Sequence, residues 1–310
     1  MQKALLIMKE IQKAVVGKND IIEKLLLAVL SKGHVLLEDI PGVGKTTLAL
    51  AFSKATSLSY KRMQFTPDVM PSDVTGFSVY NKASGRLEYK PGAALCNLFL
   101  ADEINRTSSK TQAALLEVME EGSITVDGVT REVPKPYTVI ATQNPTGSAG
   151  TQLLPESQLD RFIIRLTMGY PDLDSEIEIL KRKQGQDPLE SVTPVADADD
   201  ILAMQEDAGK VYLSDEVYRY IATLVARTRE HPKILLGASP RASIALAKMG
   251  RASAFLRSRD YVVPQDIRHV FFDVMSHRMI LEPQAKLERE APETVLRQVL
   301  LEVKEPSVVS

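Results

Sequence analysis

The chain has 310 residues, of which 44% are hydrophobic and 25% are charged. This composition is typical of a soluble globular protein that is large enough for two domains. Its 38 basic and 40 acidic residues leave a formal net charge of -2, which gives no electrostatic footprint for bulk binding to nucleic acid or membranes. The single cysteine, Cys96, excludes an intrachain disulfide and indicates a reducing compartment. Residues 4–8 and 25–30 are apolar but too short for a signal core or a membrane span, so we expect a cytoplasmic protein.

Predicted strands and helices alternate along the first 170 residues. A helix is expected to begin with Asp20 as its N-cap, with Glu23 three residues later, and to stop at Gly33. Five apolar runs then have the character of strands: residues 35–37, 63–65, 98–100, 139–142 and 162–166. Because strands that alternate with helical segments form parallel pairs, we predict a parallel sheet covered by helices.

Two segments between these strands have alternating polarity around a glycine turn. They are residues 77–89, around Ser84-Gly85, and residues 123–133, around Asp127-Gly128, and each predicts a β-hairpin. Strand signals vanish beyond Tyr170-Pro171, and five helices are predicted there: residues 175–183, 201–208, 215–229, 242–256 and 265–275. We therefore expect an α/β domain over residues 1–170 and a helical domain over residues 171–310.

The most informative motif is a glycine-rich turn that follows the first predicted strand and opens a helical pattern at Thr47. It consists of Pro41, Gly42, Val43, Gly44, Lys45 and Thr46. The glycines let successive N–H groups point at one anion, and the helix start adds the positive end of its dipole. Lys45 would then reach the outer phosphates of a nucleotide, and Thr46 would hold a magnesium ion. The alternative is an ordinary strand-to-helix turn with a solvated lysine.

The P-loop consensus has glycine at the position of Asp39, so the motif is incomplete at its first residue. The later glycines remain, and phosphate cradling is expected to be intact. Only fine nucleotide affinity would be affected.

Two adjacent carboxylates, Asp102 and Glu103, end the predicted strand over residues 98–100. At the ligand-binding edge of a parallel sheet, Asp102 can reach the magnesium shell while Glu103 faces an attacking water. By themselves the two residues could simply cap the next helix. Downstream of a P-loop, however, the pair favours a Walker B motif and hence nucleotide hydrolysis.

Asn144 and Arg161 are further candidate site residues. Asn144 follows a strand that ends at the same sheet edge and could orient the attacking water, although Asn144-Pro145 is also a common turn start. Arg161 lies between a short helix and the next strand. It is either an exposed residue paired with Asp160 or an arginine finger that reaches the nucleotide of a neighbouring subunit.

Arg241 occupies an unusual position for a cation, in the first turn of a predicted helix after an N-cap Ser239 and Pro240. The helix dipole disfavours a positive charge there, so a nearby anion, such as a phosphate held between the two domains, would explain it. The alternative is solvent exposure at a cost of about 0.3 to 1 kcal/mol. The four histidines have no metal-ligand spacing.

Taken in order, the P-loop, Asp102-Glu103, Asn144, Leu159-Asp160-Arg161-Phe162 and Ser239-Pro240-Arg241 resemble the AAA+ ATPases, specifically the MoxR family. The resemblance covers nearly the whole chain, and residues 100–106, 110–117 and 141–145 are its most distinctive stretches. It implies an α/β P-loop core with a parallel five-stranded sheet flanked by helices and β-hairpin inserts, followed by a C-terminal all-α lid. In this family the two hairpins face the central channel of a ring.

The resemblance also implies a role for each candidate residue. Glu103 would be the water-activating base, Asn144 the sensor 1 residue, Arg161 the arginine finger supplied in trans and Arg241 the sensor 2 residue on the lid. Val16-Gly17 would line the adenine pocket.

Three functions remain open at this stage. The leading hypothesis is a hexameric ring that hydrolyses Mg²⁺-ATP at subunit interfaces and remodels a protein client, with a partner that carries a von Willebrand factor A domain. The second is a nucleic-acid remodelling motor or a chelatase-like ATPase subunit, since such proteins carry similar inserts, but the near-neutral charge predicts no stable nucleic-acid binding. The third is a slow nucleotide-controlled switch that binds a partner.

Overall fold

The computed structural model describes residues 2–40, 42–144, 154–183 and 187–306. Its central sheet is made of β1 Val35–Glu38, β2 Tyr60–Gln64, β5 Leu98–Asp102, β8 Thr138–Gln143 and β9 Ile164–Leu166. The strand order is β2-β5-β8-β1-β9, and every pairing is parallel. The predicted five-stranded parallel sheet is therefore confirmed.

Helices cover this sheet, and the central strands β5 and β8 are buried along their whole length. Strands buried on both faces are continuous apolar runs, and this is why the sequence shows runs and no alternation there. The helices of the first half are α1 Gln2–Ala14, α2 Asn19–Leu30, α3 Lys45–Ala55, α4 Pro71–Thr75, α5 Ser109–Glu121 and α6 Glu156–Leu159. All the parallel strands end at one edge, where β1, β5 and β8 bring their last residues together.

The predicted start of α2 was wrong. The helix begins at Asn19 with Lys18 in the N-cap position and no side-chain cap. Asp20 instead lies in the first turn and pairs with Lys24 at 2.8 Å. Gly33 does follow the helix end, but the reason for glycine there is steric: a Cβ at Gly33 would lie 2.3 Å from Cγ2 of Ile163.

Both predicted hairpins are present. The first joins β3 Gly76–Asn81 to β4 Arg86–Pro91, and the second joins β6 Ser123–Val126 to β7 Val129–Glu132. In the second hairpin, Asp127 and Gly128 both have positive φ, at 52° and 73°. Two central residues of this kind form the turn that matches the natural twist of paired strands.

The second half of the chain, from Pro171 onward, is mostly helical. Its helices are α7 Leu173–Lys183, α8 Ala198–Lys210, α9 Asp215–Glu230, α10 Pro240–Leu256, α11 Pro264–Met275, α12 Pro283–Leu287 and α13 Pro292–Glu302. The expectation that strands vanish there was wrong in one detail, because β10 Ile234–Leu236 pairs with β11 Ile280–Leu281 in a small antiparallel sheet. Strands this short carry too few residues for a period-2 pattern to be visible.

The two halves share a hydrophobic core. Helix α2 contacts α8 and α10, and α11 contacts β9. The buried residues Leu26, Ile164 and Leu246 all belong to one continuous apolar cluster. The division at residue 170 therefore stays a prediction. Within the described ranges, no helix combines the length and the apolar character that crossing a membrane requires.

Candidate active site

The P-loop backbone is shaped by two left-handed glycines. Gly42 has a φ of 88° and Gly44 a φ of 98°, a region that favours glycine because it has no Cβ. Gly44 is the N-cap of α3 and no side chain caps the helix start, so the first N–H groups of α3 remain available to an anion. The helix begins at Lys45, two residues before the predicted Thr47, and Pro41 lies outside the described residues.

Lys45 is buried, with 8% of the residue exposed. Its Nζ donates to the main-chain oxygen of Asp39 at 2.8 Å. Burial lowers the pKa of Lys45, and the nearby carboxylates of Asp102, Asp39 and Glu103 offset this only in part. The alternative of a solvated lysine is wrong, because Lys45 is buried and its ammonium donates to a main-chain oxygen.

Asp102 is held by both strands that flank β5. Its Oδ1 accepts a hydrogen bond from the Thr142 hydroxyl at 2.6 Å, and its Oδ2 accepts one from the Arg62 guanidinium at 2.7 Å. It does not cap the next long helix, whose N-cap is Ser108. Asp102 is thus a positioned carboxylate at the ligand edge of the sheet.

Glu103 has a left-handed backbone, with a φ of 57°. Its N–H donates to the Thr142 hydroxyl at 2.8 Å, while its carboxylate accepts from Arg106 at 2.9 Å and from Asn144 at 3.2 Å. Partial burial by itself would raise the pKa of Glu103, but the hydrogen bonds from Arg106 and Asn144 outweigh burial and lower it. Glu103 is therefore ionised at neutral pH, as a general base must be.

Asn144 lies beside Glu103, as the sheet-edge argument predicted. Its backbone N–H donates to Asn105 Oδ1 at 3.4 Å, and its main-chain oxygen accepts from Asn105 Nδ2 at 3.3 Å. The Asn144 side-chain amide donates to Glu103, and its Oδ1 is buried with no hydrogen-bond partner among the described residues. Pro145 lies outside the described residues.

A cavity of about 390 Å³ adjoins the P-loop; we call it the P-loop cavity. Its walls include Val16 and Lys18 from the N-terminal segment, Gly42 to Gly44 and Thr47 from the P-loop, and Ile179 and Arg182 from α7. The adjacent Gly17 has a φ of 70°, and a Cβ there would lie 2.1 Å from Ser175 Oγ of α7. A mostly apolar cavity beside a phosphate-binding loop suits a nucleotide base.

Arg161 and Arg241 lie together in a second cleft, which we call the arginine cleft. Arg161 donates to the main-chain oxygen of Leu116 at 2.7 Å, and it pairs with Glu120 at 2.9 Å. Arg241 pairs with the other oxygen of Glu120 at 2.6 Å. The two arginines and Glu120 line this cleft, whereas neither arginine lines the P-loop cavity.

The alternative that Arg161 pairs with Asp160 was wrong. The Asp160 carboxylate accepts from Arg278 at 2.7 Å and from the Ser239 hydroxyl at 2.7 Å. Ser239 also caps α10, as predicted, by accepting from the Arg241 N–H at 3.1 Å. Arg241 is exposed, as the alternative for this residue held, and the anion beside it is the carboxylate of Glu120.

Sequence reasoning missed the partners of the predicted residues. Arg62 belongs to β2, which begins three residues before the predicted strand, and the register places Gln64 beside Asp102. The position of Arg62, two residues before the end of β2, was the feature of the sequence that could have indicated this partner. Apart from their charge, nothing in the sequence marked Glu120 and Arg106 as partners of the site residues.

The strand order, the P-loop at the start of α3 and the polar residues at the ends of β5 and β8 define a P-loop ATPase of the AAA+ class. Comparisons with known proteins agree. Residues 34–164 match the model of the ATPase family associated with various cellular activities, and residues 226–299 match the AAA lid domain.

Several relatives match almost the full chain. YeaC of Bacillus subtilis is 48% identical, and the match covers 96% of this chain and 93% of the relative. Chaperone MoxR1 of Mycobacterium tuberculosis is 38% identical over 96% of this chain and 81% of its own. Protein MoxR of Methylorubrum extorquens is 32% identical over 91% of this chain and 88% of its own.

A crystal structure of a candidate ATPase from Cytophaga hutchinsonii superposes with a TM-score of 0.92 and 37% identity, covering 99% of this chain and 96% of that one. The chain belongs to the MoxR family of AAA+ ATPases, and it is an ATP hydrolase.

Proposed function

We propose that the protein acts as a ring, with a hexamer as the expected assembly, in which ATP bound to one subunit is hydrolysed with arginines from the next. The main support for this proposal is the position of Arg161 and Arg241. Both arginines pair with the Glu120 carboxylate in the arginine cleft, and neither lines the P-loop cavity. Arginines placed in this way serve phosphoryl transfer by stabilising charge on the nucleotide of another copy.

Within one subunit, the N–H groups of the P-loop and Lys45 would hold the phosphates. The Thr46 hydroxyl and the Asp102 carboxylate fit Mg²⁺, which prefers oxygen ligands and keeps several waters. When bound, this ion neutralises charge on the phosphate oxygens. The left-handed glycines and the buried ammonium of Lys45 support this assignment.

The chemistry of hydrolysis would rest on Glu103 and Asn144. Asn144 Oδ1, which has no hydrogen-bond partner among the described residues, would accept a hydrogen bond from the attacking water, and Glu103 would accept the proton that this water loses. The water oxygen bonds to the γ-phosphorus as the bond from that phosphorus to the ADP oxygen breaks. The products are ADP and inorganic phosphate, with no covalent intermediate.

Movement of a protein client would use the two hairpins. The β3–β4 hairpin exposes Phe77, Val79, Tyr80 and Leu87, and the β6–β7 hairpin exposes Val129. Exposed apolar groups of this kind can grip a polypeptide. One relative is named a chaperone, and we propose a chaperone-like role in the maturation or activation of protein complexes, with a von Willebrand factor A domain protein as partner.

The deciding experiment measures ATP turnover per chain against protein concentration, with magnesium, for the wild type and Arg161→Ala. We expect specific activity to rise steeply with concentration, and Arg161→Ala to lose roughly 10³-fold or more, as expected for an arginine finger. Glu103→Gln should bind ATP without turnover. Mixing the two inactive variants should restore activity, because each supplies what the other lacks.

Arg219→Ala is the matched control, since it removes an exposed arginine of α9 outside both cavities. This control should turn over ATP like the wild type. Activity that does not depend on concentration and is indifferent to Arg161 would mean a self-contained site, and the ring proposal would be wrong.

A further inference from the structure

Asp39 replaces the first glycine of the P-loop consensus, and its carboxylate connects the P-loop to the segment that leads into the second half. Its Oδ2 accepts hydrogen bonds from the N–H groups of Met168 and Gly169, the latter at 2.8 Å. Its Oδ1 accepts from the N–H of Ile40 at 3.1 Å. Because the residue is only 5% exposed, these N–H groups compensate for the desolvation of its charge.

The same residue also contacts the phosphate-binding lysine. The main-chain oxygen of Asp39 accepts from Lys45 Nζ at 2.8 Å. A Cβ on Gly44 would lie 3.8 Å from Cε of Met168, so the Met168 side chain reaches the P-loop as well. The P-loop and the segment 168–170 are therefore in contact through both backbone and side chains.

Lys18 holds the opposite side of this segment. Its ammonium donates to the main-chain oxygens of Met168 and Tyr170, the latter at 3.0 Å. Gly169 between them has a φ of 62°, a left-handed conformation that favours glycine. Lys18 and Pro171 both line the P-loop cavity. The segment that leads into the cavity-lining Pro171 therefore has N–H groups held by Asp39 and carbonyl oxygens held by Lys18.

We propose that Asp39 is a positioning residue for nucleotide binding. Its carboxylate fixes residues 168–169, and through them the cavity-lining Pro171 and the following helix α7, relative to the phosphate-binding loop, so that phosphate binding and the position of α7 are coupled. The inference rests on the proposed function only in assigning ATP to the P-loop cavity. The glycine of the consensus would leave the N–H groups of Met168 and Gly169 without this acceptor.

The test compares Asp39→Gly, which restores the consensus glycine, with Asp39→Asn, which keeps an acceptor oxygen. Loss of charge-assisted hydrogen bonds predicts that Asp39→Gly raises the Kd of a non-hydrolysable ATP analogue and the KM of ATP about tenfold. The kcat should change by less than about twofold. Asp39→Asn should recover part of the lost affinity.

Amide hydrogen exchange provides a readout that does not depend on activity. In the wild type the Met168 and Gly169 amides should be protected, and binding of the ATP analogue should protect residues 168–171 further. In Asp39→Gly both effects should be lost. Asp197→Gly is the matched control, since Asp197 accepts from the Asp200 N–H at 2.9 Å as the cap of α8 and does not line the P-loop cavity.

The control should lower stability without changing KM, which separates positioning from general destabilisation. An unchanged Kd and unchanged Gly169 exchange in both Asp39 variants would overturn the inference. A loss of kcat at unchanged Kd would overturn it too. If the wild type itself bound no ATP, the proposed function would fail instead, and this outcome is distinguishable from the others.

Discussion

At the residue scale, the site consists of charged groups that are already paired by neighbouring elements. Asp102 is held by β2 and β8, and Glu103 is held by Arg106 and Asn144. Fixed carboxylates and amides require little reorganisation when charge develops during hydrolysis. The pairings also set the ionisation of the proposed base.

Removal of the Arg106 side chain should change the pH dependence of turnover. Arg106 helps to lower the pKa of Glu103, whereas burial acts in the opposite direction. In Arg106→Ala we therefore expect the acid limb of the kcat profile to move to higher pH, because the base becomes protonated sooner as pH falls.

The sign of the stability effect follows from the same shift. A lowered pKa contributes stability that is present above the unfolded value, near 4.5, and that is lost as pH falls through the folded pKa.

Single-turnover rates of Arg106→Ala, measured from acid to neutral pH, would test the predicted shift of the acid limb, with Arg219→Ala as the control. An acid limb at the wild-type position in Arg106→Ala would rule out this role for Arg106.

The candidate residues could be predicted from the sequence because they follow apolar strands. A buried run that ends in Asp102-Glu103 or in Asn144 fixes their position at the sheet edge, whatever the exact strand bounds are. The partners could not be predicted, because Arg62 and Thr142 meet Asp102 across 40 residues in either direction. Such contacts depend on strand order, which local patterning does not determine.

At the element scale, glycines show where elements approach one another and where they do not. Gly33 follows α2, and a Cβ there would overlap the Ile163 side chain, with its nearest atom at 2.3 Å. Gly209 lies within α8, and a Cβ there would meet no atom within 4 Å. The same substitution should therefore have opposite effects at the two positions.

Gly33→Ala should destabilise the protein by about 1 to 3 kcal/mol through overpacking. Gly209→Ala should stabilise it by about 0.5 to 1 kcal/mol, because alanine has the higher helix propensity. Urea unfolding of both variants beside the wild type gives the two differences. Equal changes at the two positions would mean that the close approach of Gly33 to Ile163 does not restrict the fold.

Element types were easier to predict than element ends. The strand over residues 63–65 in fact starts at Tyr60, where Lys61 and Arg62 break the apolar pattern at a sheet edge. Helix α2 starts without a side-chain cap, so no capping residue marked its first turn. The hairpins were predicted correctly, since Asp127-Gly128 specifies its turn by backbone conformation alone.

At the scale of the whole molecule, the arginine cleft and the P-loop cavity are separate. The former is lined by Lys32, Glu120 and Arg241 among others, and the latter by the P-loop and α7. The net charge of -2 does not favour the alternative of a nucleic-acid motor.

Mixing of variants can determine whether Arg241 serves its own nucleotide or that of a neighbour. Arg241→Ala has an intact Glu103, and Glu103→Gln has an intact Arg241. If Arg241 acts in trans, as its pairing with Glu120 beside Arg161 indicates, an equal mixture should regain activity at about a quarter of its interfaces by random assembly.

If Arg241 instead acted on the nucleotide of its own chain, no subunit in the mixture would have both residues, and activity would stay absent. The control is a mixture of Arg241→Ala with Arg161→Ala, in which the subunit that supplies both arginines is missing. That mixture should remain inactive if the two arginines serve the same phosphate together. Rescue in the first mixture without rescue in the control would show that a complete site needs Glu103 from one chain and both arginines from the next.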